Sequence, residues 1–449
     1  MSTAIINLQI VTMDVHAHVI PHGYIIFQAD GIIKVVSSME TFDSMKKQLR
    51  EPLTSIIDGQ MRIAMPGMVN THGHFPMIPF RGLGDDTPDR LRRFLLPMEA
   101  KFVNKELVYA AAKYGLMESL LSGVTTVLDM YYFEDQVLRA AQDISIRGVF
   151  CQSLMEEATP DFATPQQALA WSEQFIKEHH ASSSSLQSAG IAPHATNTCS
   201  KDTLMKANNL SLRYNCPITL HASEMDYELE YFRTEYHSTP IEFLGNIGLL
   251  SNRLIAAHCI HLTPQDLQLL KQTNTSIAHC IGSNTKAGKG VAPIKEARDK
   301  GISVGLGTDG PSSGNTLDLF TQFKLFASFH KTINKDRSLF PSKEIVRLGT
   351  MGGAKVLHMD KSIGSLEKGK CADIVLVETT SVNMYPLYDL HSALVYSANM
   401  GNVSDVFIAG KHLVSQKQLT FCDQKSIRSD LTDAMKDFRA YALSHSTDV

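Results

Sequence analysis

Eight short apolar runs, each followed by a longer amphipathic stretch, fill residues 63–358 and leave few folds open to the chain. The runs fall at 67–70, 125–129, 148–152, 188–192, 217–220, 254–257, 275–278 and 303–306. Helical periodicity separates them, for example over 105–121, 134–144, 200–214 and 264–271. Alternating strand and helix patterns are the signature of βα units around a parallel sheet. Eight such units predict an α/β chain built on a (β/α)8 TIM barrel.

The flanks have a different texture. Residues 4–11, 19–28, 31–36 and 54–57 read as β runs, and β texture returns at 372–378 and 405–408. The expectation is one small composite β-sandwich made from 1–62 and 359–449, beside a metal-dependent catalytic barrel over 63–358. Internal repeats are absent, and the serine-rich patch 182–185 reads as a loop.

Bulk properties exclude several classes. With 43% hydrophobic and 20% charged residues the composition is that of a globular protein. Net charge is −4 and the Lys and Arg residues are not clustered, which argues against nucleic acid or an anionic membrane as partner. No apolar stretch is long enough to span a bilayer. The opening MSTAIINLQIV lacks a basic segment and a cleavage pattern, so it does not read as a secretory signal. Seven scattered cysteines with no C-x-x-C read as buried thiols in a reducing, cytoplasmic setting.

A barrel enzyme builds its site from residues at the C-terminal ends of its strands. The first run ends at His72-Gly73-His74, the fourth at His194, the fifth at His221 with Glu224 three residues on, the sixth at His258 and the eighth at Asp309. Five strands closing on His or Asp, all toward one face, are poorly explained by chance. Three neutral imidazoles and one carboxylate suit one divalent cation, Zn2+ first with Fe2+ as the alternative. The expected ligands are His72, His74, His221 and Asp309. Such an ion brings the pKa of bound water to roughly 7, giving hydroxide near neutral pH. Glu224 is placed to carry a proton from that water to a substrate, and His258 to polarise the water.

A His-x-His pair alone says little: with 18 His in 449 residues, chance supplies roughly one. The chain carries a rival, His16-Ala17-His18, which has no such company and reads as a surface strand or turn. His261 reads as a loop residue. His279, after the seventh run, reads equally as structural or as touching the site.

With these residues in hand, the chain resembles the amidohydrolase superfamily, in its methylthioadenosine/S-adenosylhomocysteine deaminase and triazine hydrolase branch. The resemblance is carried by PGMVNTHGH (66–74), RGLGDD (81–86), IAPHATNTCS (191–200), HASE (221–224) and AAHCIHL (256–262). It continues through GSNTKAGKGVAPI (282–294), GLGTDGPSSGNTLDLF (305–320) and GKCADIVLVE (369–378), close to the full chain. It implies the same barrel, the composite sandwich, a single divalent metal and a homo-oligomer, dimer or tetramer. It also implies metal ligands at His72, His74, His221 and Asp309, a proton shuttle at Glu224 and a water-orienting His258. His194 and Glu99 match substrate-contacting positions, Glu99 one that binds a ribose. Arg81 reads as a structural ion-pair partner.

Departures bear on substrate. Where relatives acting on S-adenosylhomocysteine carry Arg after strand three, this chain reads VFCQSLMEEATPDF (149–162), with Gln152 near one such position. Glu156, Glu157 and Asp161 make that stretch acidic, which predicts against a substrate carboxylate. The tryptophan common in that branch is replaced by RLRRFLL (90–96). The expected activity is hydrolytic removal of ammonia from a small aminated N-heteroaromatic ring, such as an adenosine-type nucleoside, an aminopurine or a pterin. Glu224, His258 and Asp309 would do the catalysis. Dechlorination or dealkylamination of a triazine, or cyclic amide hydrolysis, would use the same site. A non-catalytic scaffold on this fold would be expected to have lost ligands, and the set here is complete.

Overall fold

The computed structural model describes residues 2–49, 51–88, 90–180 and 185–445. Most of the serine patch at 182–185 therefore lies outside the described residues. Eight parallel strands form one sheet, in chain order around it. They are β1 (Met68–Gly73), β2 (Val124–Tyr131), β3 (Arg147–Leu154), β4 (Gln187–Pro193), β5 (Ile218–Ala222), β6 (Leu254–His258), β7 (Ser276–His279) and β8 (Val304–Leu306). The peptide N–H of Asp309, just past β8, donates to the His72 carbonyl of β1 at 3.1 Å. The edges thus meet and the barrel is nearly closed.

Most strands run further than their apolar runs because polar residues continue the ladder. In β5, His221 pairs with Ala257 and Ala222 with His258 of β6. Helices follow the strands as their periodicity predicts: Lys105–Leu121, Glu134–Ile144, Lys201–Tyr214 capped by Ser200, and Pro264–Thr273 capped by Thr263. Ser200 and Thr263 each accept a main-chain N–H in the first turn, satisfying a donor the helix cannot.

The terminal segments form a second, mixed sheet of nine strands. Its order is Gln418–Leu419, Lys411–Ser415, Val403–Ile408, Ile374–Val377, Ile63–Pro66, Ser2–Val11, Val19–Gln28 and Ile33–Ser38, with Leu53–Asp58 on Ser2–Val11. Alternation along Val19–Gln28 gives it two apolar faces. Ile25 and Phe27 pack with Ile374, Leu376 and Phe407, whereas Tyr24 and Ile26 pack with Phe42.

The compact units divide differently from the sequence boundaries. One comprises Met1–Asn70, Glu118–Thr126 and Asp318–Cys422; the other Thr71–Met117, Val127–Leu317 and Asp423–Val449. Ile63–Pro66 belongs with the first because it pairs with Ile374–Val377 in the mixed sheet. The last helices, Gln424–Ala434 and Lys436–His445, belong with the second. There Phe438 packs edge-on against Phe80 and Phe102, and Tyr441 against Phe102. Five cysteines, Cys151, Cys199, Cys216, Cys259 and Cys280, are buried; Cys371 and Cys422 are half-buried. Among the described residues no helix is long and apolar enough to cross a membrane.

Candidate active site

The strand ends bring His72, His74 and His221 together. One ring nitrogen of each lies within 4.8 Å of the others. Asp309 joins them, with Oδ1 3.2 Å from His74 Nε2 and 3.7 Å from His72 Nε2. His74 Nδ1 lies 2.6 Å from the Met130 carbonyl and His221 Nδ1 2.7 Å from the His194 carbonyl. A carbonyl can only accept, so Nδ1 of both rings carries the proton. The two Nε2 atoms then face each other at 3.3 Å. Two imidazole lone pairs and an anionic oxygen pointing at one spot require a cation there. A proton on His74, which Asp309 sustains up to about 9 against burial, is the smallest that serves. A divalent ion serves better, since it engages His72 and His221 as well. The donor set therefore fits a metal. His72, His258 and Cys280 form a second ligand-bearing group beside the first.

Asp309 and His258 are held from behind. Asp309 Oδ2 accepts from the Ser283 hydroxyl (2.6 Å), and Oδ1 from the Gly310 N–H (2.7 Å). Burial would raise its carboxyl, but His74 and the neighbouring imidazoles keep it well below the usual range. His258 Nδ1 lies 2.8 Å from Asn284 Oδ1, which turns Nε2 toward Glu224 Oε1 at 3.7 Å. His258 and Asp309 adopt left-handed backbone conformations, φ 68 and 60. That is strain of the kind a fold retains where a side chain must be aimed.

Glu224 stands on a pinned loop. The main-chain N–H groups of Ser223 and Glu224 donate to the Glu228 carboxylate at 3.0 and 2.8 Å, and the Thr196 hydroxyl donates to the same group. Its own carboxylate accepts from Lys289 Nζ at 2.6 Å. Burial opposes ionisation, yet His258 and Lys289 bring Glu224 down to about 2.

A cavity of about 620 Å3 opens over this group, lined by His74, His194, His221, Glu224, His258 and Asp309. Glu99, Tyr131 and Tyr132 lie on its wall. The Tyr131 hydroxyl donates to Glu99 Oε1 (2.7 Å), and burial pushes the Glu99 carboxyl up to about 7 despite that bond. Burial also brings His194 down to about 4, so it acts as a neutral imidazole.

Gln152 does not line this cavity. It is fully buried and its amide is spent on the Ser153 carbonyl and the Asp161 carboxylate. Two acids of the same stretch are also turned elsewhere. Glu156 accepts from Ser200 and Thr203, and Asp161 from Phe133 and Thr159. Their charge is thus not presented to a substrate at the cavity wall. His16 and His18 lie on a surface turn, where His18 Nδ1 meets Asp14 at 2.6 Å. His261 pairs with Asp226 (3.3 Å), and His279 is buried at the end of β7. Lys289, Tyr131, Ser283 and Asn284 are the site residues that pattern reading did not single out. Three of the four sit inside the glycine-rich run 282–294.

A model described as the amidohydrolase family matches residues 63–413. The chain belongs to the amidohydrolase family. It is accordingly a hydrolase acting on carbon–nitrogen bonds, in a family that depends on metal. This amidohydrolase is 34% identical over 428 residues to a 5-methylthioadenosine/S-adenosylhomocysteine deaminase of Thermodesulfovibrio yellowstonii, covering 95% of this chain and 96% of that one. It is 36% identical over 375 residues to a 5'-deoxyadenosine deaminase of Methanocaldococcus jannaschii, covering 83% and 88%. Among solved structures, a zinc-bound adenosine deaminase from Xanthomonas campestris superposes with a TM-score of 0.93 at 27% identity, covering 98% of both chains. A triazine hydrolase from Arthrobacter aurescens superposes at 0.89 with 23% identity, covering 97% and 99%, a likeness of fold alone.

Proposed function

We propose that this amidohydrolase removes an exocyclic amino group, as ammonia, from an aminated N-heteroaromatic ring of the adenosine-type nucleoside class. The observation that carries the reading is the placement of Glu224. It stands on a pinned loop beside ligand His221, with its carboxylate lining the same cavity as His74 and Asp309. The deaminase names of the relatives favour ammonia as the leaving group.

The ligands would be His72, His74, His221 and Asp309, and the zinc-bound relative favours Zn2+ over Fe2+. A divalent ion there would supply Lewis acidity that activates water near neutral pH. The chain does the rest. Asp309 and His258 orient the attacking water toward the ring carbon that bears the amine. Glu224 takes the proton released on attack and passes it to the adjacent ring nitrogen. Protonating that nitrogen relieves the charge that attack pushes onto the ring. A second proton passed through Glu224 lets the amine leave as ammonia, so amine plus water become carbonyl plus ammonia. Neutral His194 would meet a polar ring edge, and Glu99, backed by Tyr131, the sugar hydroxyls.

A panel of adenosine-type nucleosides, free aminopurines, pterins and aminotriazines tests this, read by ultraviolet change and ammonia release. Ammonia from the nucleosides is expected. Release of chloride or alkylamine from triazines in its place would move the reaction to the other branch.

A further inference from the structure

Lys289 Nζ sits 2.6 Å from Glu224 Oε1, the carboxylate expected to carry protons. The side chain is mostly buried, yet it lines the cavity. It is delivered there by a turn with a positive-φ glycine on either side, Gly288 (φ 64) and Gly290 (φ 121). The same turn anchors on Asn284, whose carbonyl accepts from the Lys289 N–H at 2.9 Å and whose side chain holds His258. Lys289 is therefore as firmly placed as the groups around it.

An ammonium has three donors and no acceptor. Among the described residues, the bond to Glu224 is the one hydrogen bond its nitrogen makes. Two donors are therefore left for an acceptor in the cavity that the side chain lines, where a buried charge gains most from one. The direction they serve is also limited. His258 Nε2 approaches the same Glu224 oxygen at 3.7 Å, and its ring lies 5.3 and 5.4 Å from those of His221 and His72. Glu224 Oε1 is thus shared between His258, which packs on the His cluster, and Lys289. Consider a ring whose nitrogen faces Glu224. One neighbour of that nitrogen is the reacting carbon, turned toward His74 and Asp309. That arrangement leaves the other neighbour as the ring atom for Lys289, which lines the same cavity, to meet.

We propose that Lys289 is a specificity-determining residue that donates to a carbonyl oxygen on the ring atom flanking the Glu224-bound nitrogen, opposite the amine-bearing carbon. The substrate class is then an amino-oxo heterocycle, N–C(=O) on one side of the nitrogen and C–NH2 on the other. A plain adenine ring presents only C–H at that position and leaves the ammonium without a substrate partner. This rests on the deaminase reading above and narrows its substrate.

The test compares adenosine with isoguanosine (2-oxoadenosine), which adds that oxygen and moves the C2 hydrogen to a ring nitrogen, on metal-loaded wild type, Lys289→Met and Lys289→Gln. Metal content and circular dichroism establish that the variants are folded. Wild type is expected to favour the 2-oxo nucleoside in kcat/KM by at least about 10-fold. Both substitutions should cut that preference by about 10- to 100-fold, the range of a charge-assisted hydrogen bond. A preference that the substitutions leave unchanged, or a wild type that favours adenosine, overturns the assignment while the deaminase reading stands. Ammonia from neither nucleoside, nor from any other aminated ring, overturns both.

Discussion

His74 Nε2 and His221 Nε2 face each other at 3.3 Å, while the opposite nitrogen of each ring lies on a main-chain carbonyl. Geometry of that kind is costly unless a cation lies between. Chelation should therefore abolish turnover and lower Tm, and one equivalent of divalent metal should restore both. Binding to the folded state alone contributes about 4 kcal/mol when free metal is 1,000 times Kd. Thermal scans with and without chelator, alongside metal analysis, check this. An unchanged Tm and rate after complete metal removal would contradict it.

Glu224 is expected to act in proton transfer and not in holding the metal. Glu224→Gln should keep metal content at the wild-type level and lower kcat by about 100- to 10,000-fold. Loss of metal together with activity would reassign it to the ligand set. A kcat within a few fold of wild type would remove it from the reaction.

Burial lifts Glu99 to about 7 from a reference of 4.5. The folded protein therefore retains a proton that the unfolded chain releases near 4.5. The sign is a penalty: it is absent below the unfolded pKa, grows as pH rises from 4.5 to 7, and is constant above. Its size is on the order of 3 kcal/mol. Glu99→Gln, which cannot ionise, should gain stability relative to wild type between pH 5 and pH 8. Urea titrations of both proteins at the two pH values measure the difference; a variant that loses ground at pH 8 would show the sign to be wrong. The same variant should raise KM for a nucleoside more than for its free base.

Phe438 is buried between Phe80 and Phe102, on either side of the segment that carries Glu99. Phe438→Ala should cost about 3–5 kcal/mol, the range for emptying a packed aromatic site. Denaturant unfolding reads this directly. A cost under 1 kcal/mol would mean that the last helix is dispensable to its unit.

Much of this was legible in the chain. The eight apolar runs mark the eight strands because a strand buried on both faces must be apolar along its length. The metal-competent residues were legible because β1, β5 and β8 stop being apolar at His72, His221 and Asp309, where the cavity begins. What escaped was set by side-chain direction and not by strand position. Gln152 lies one pleat from a useful place and turns to Asp161 instead of the cavity. Glu156 and Asp161 look like a charged wall in sequence but are consumed by Ser200, Thr203 and Phe133. Lys289 had the reverse fate: a lysine in a glycine-rich loop reads as solvated until the turn at Gly288 and Gly290 is seen to fold it inward. The grouping of the last helices with the barrel residues rests on aromatic contacts far apart in sequence, which periodicity does not record.

The most direct test of hydrolytic deamination is turnover in water enriched in oxygen-18. Metal-loaded protein acting on an aminated nucleoside should release one ammonia per product, and each product should carry one heavy oxygen on the carbon that bore the amine. Product without heavy oxygen, or no ammonia from any aminated ring, would contradict the account.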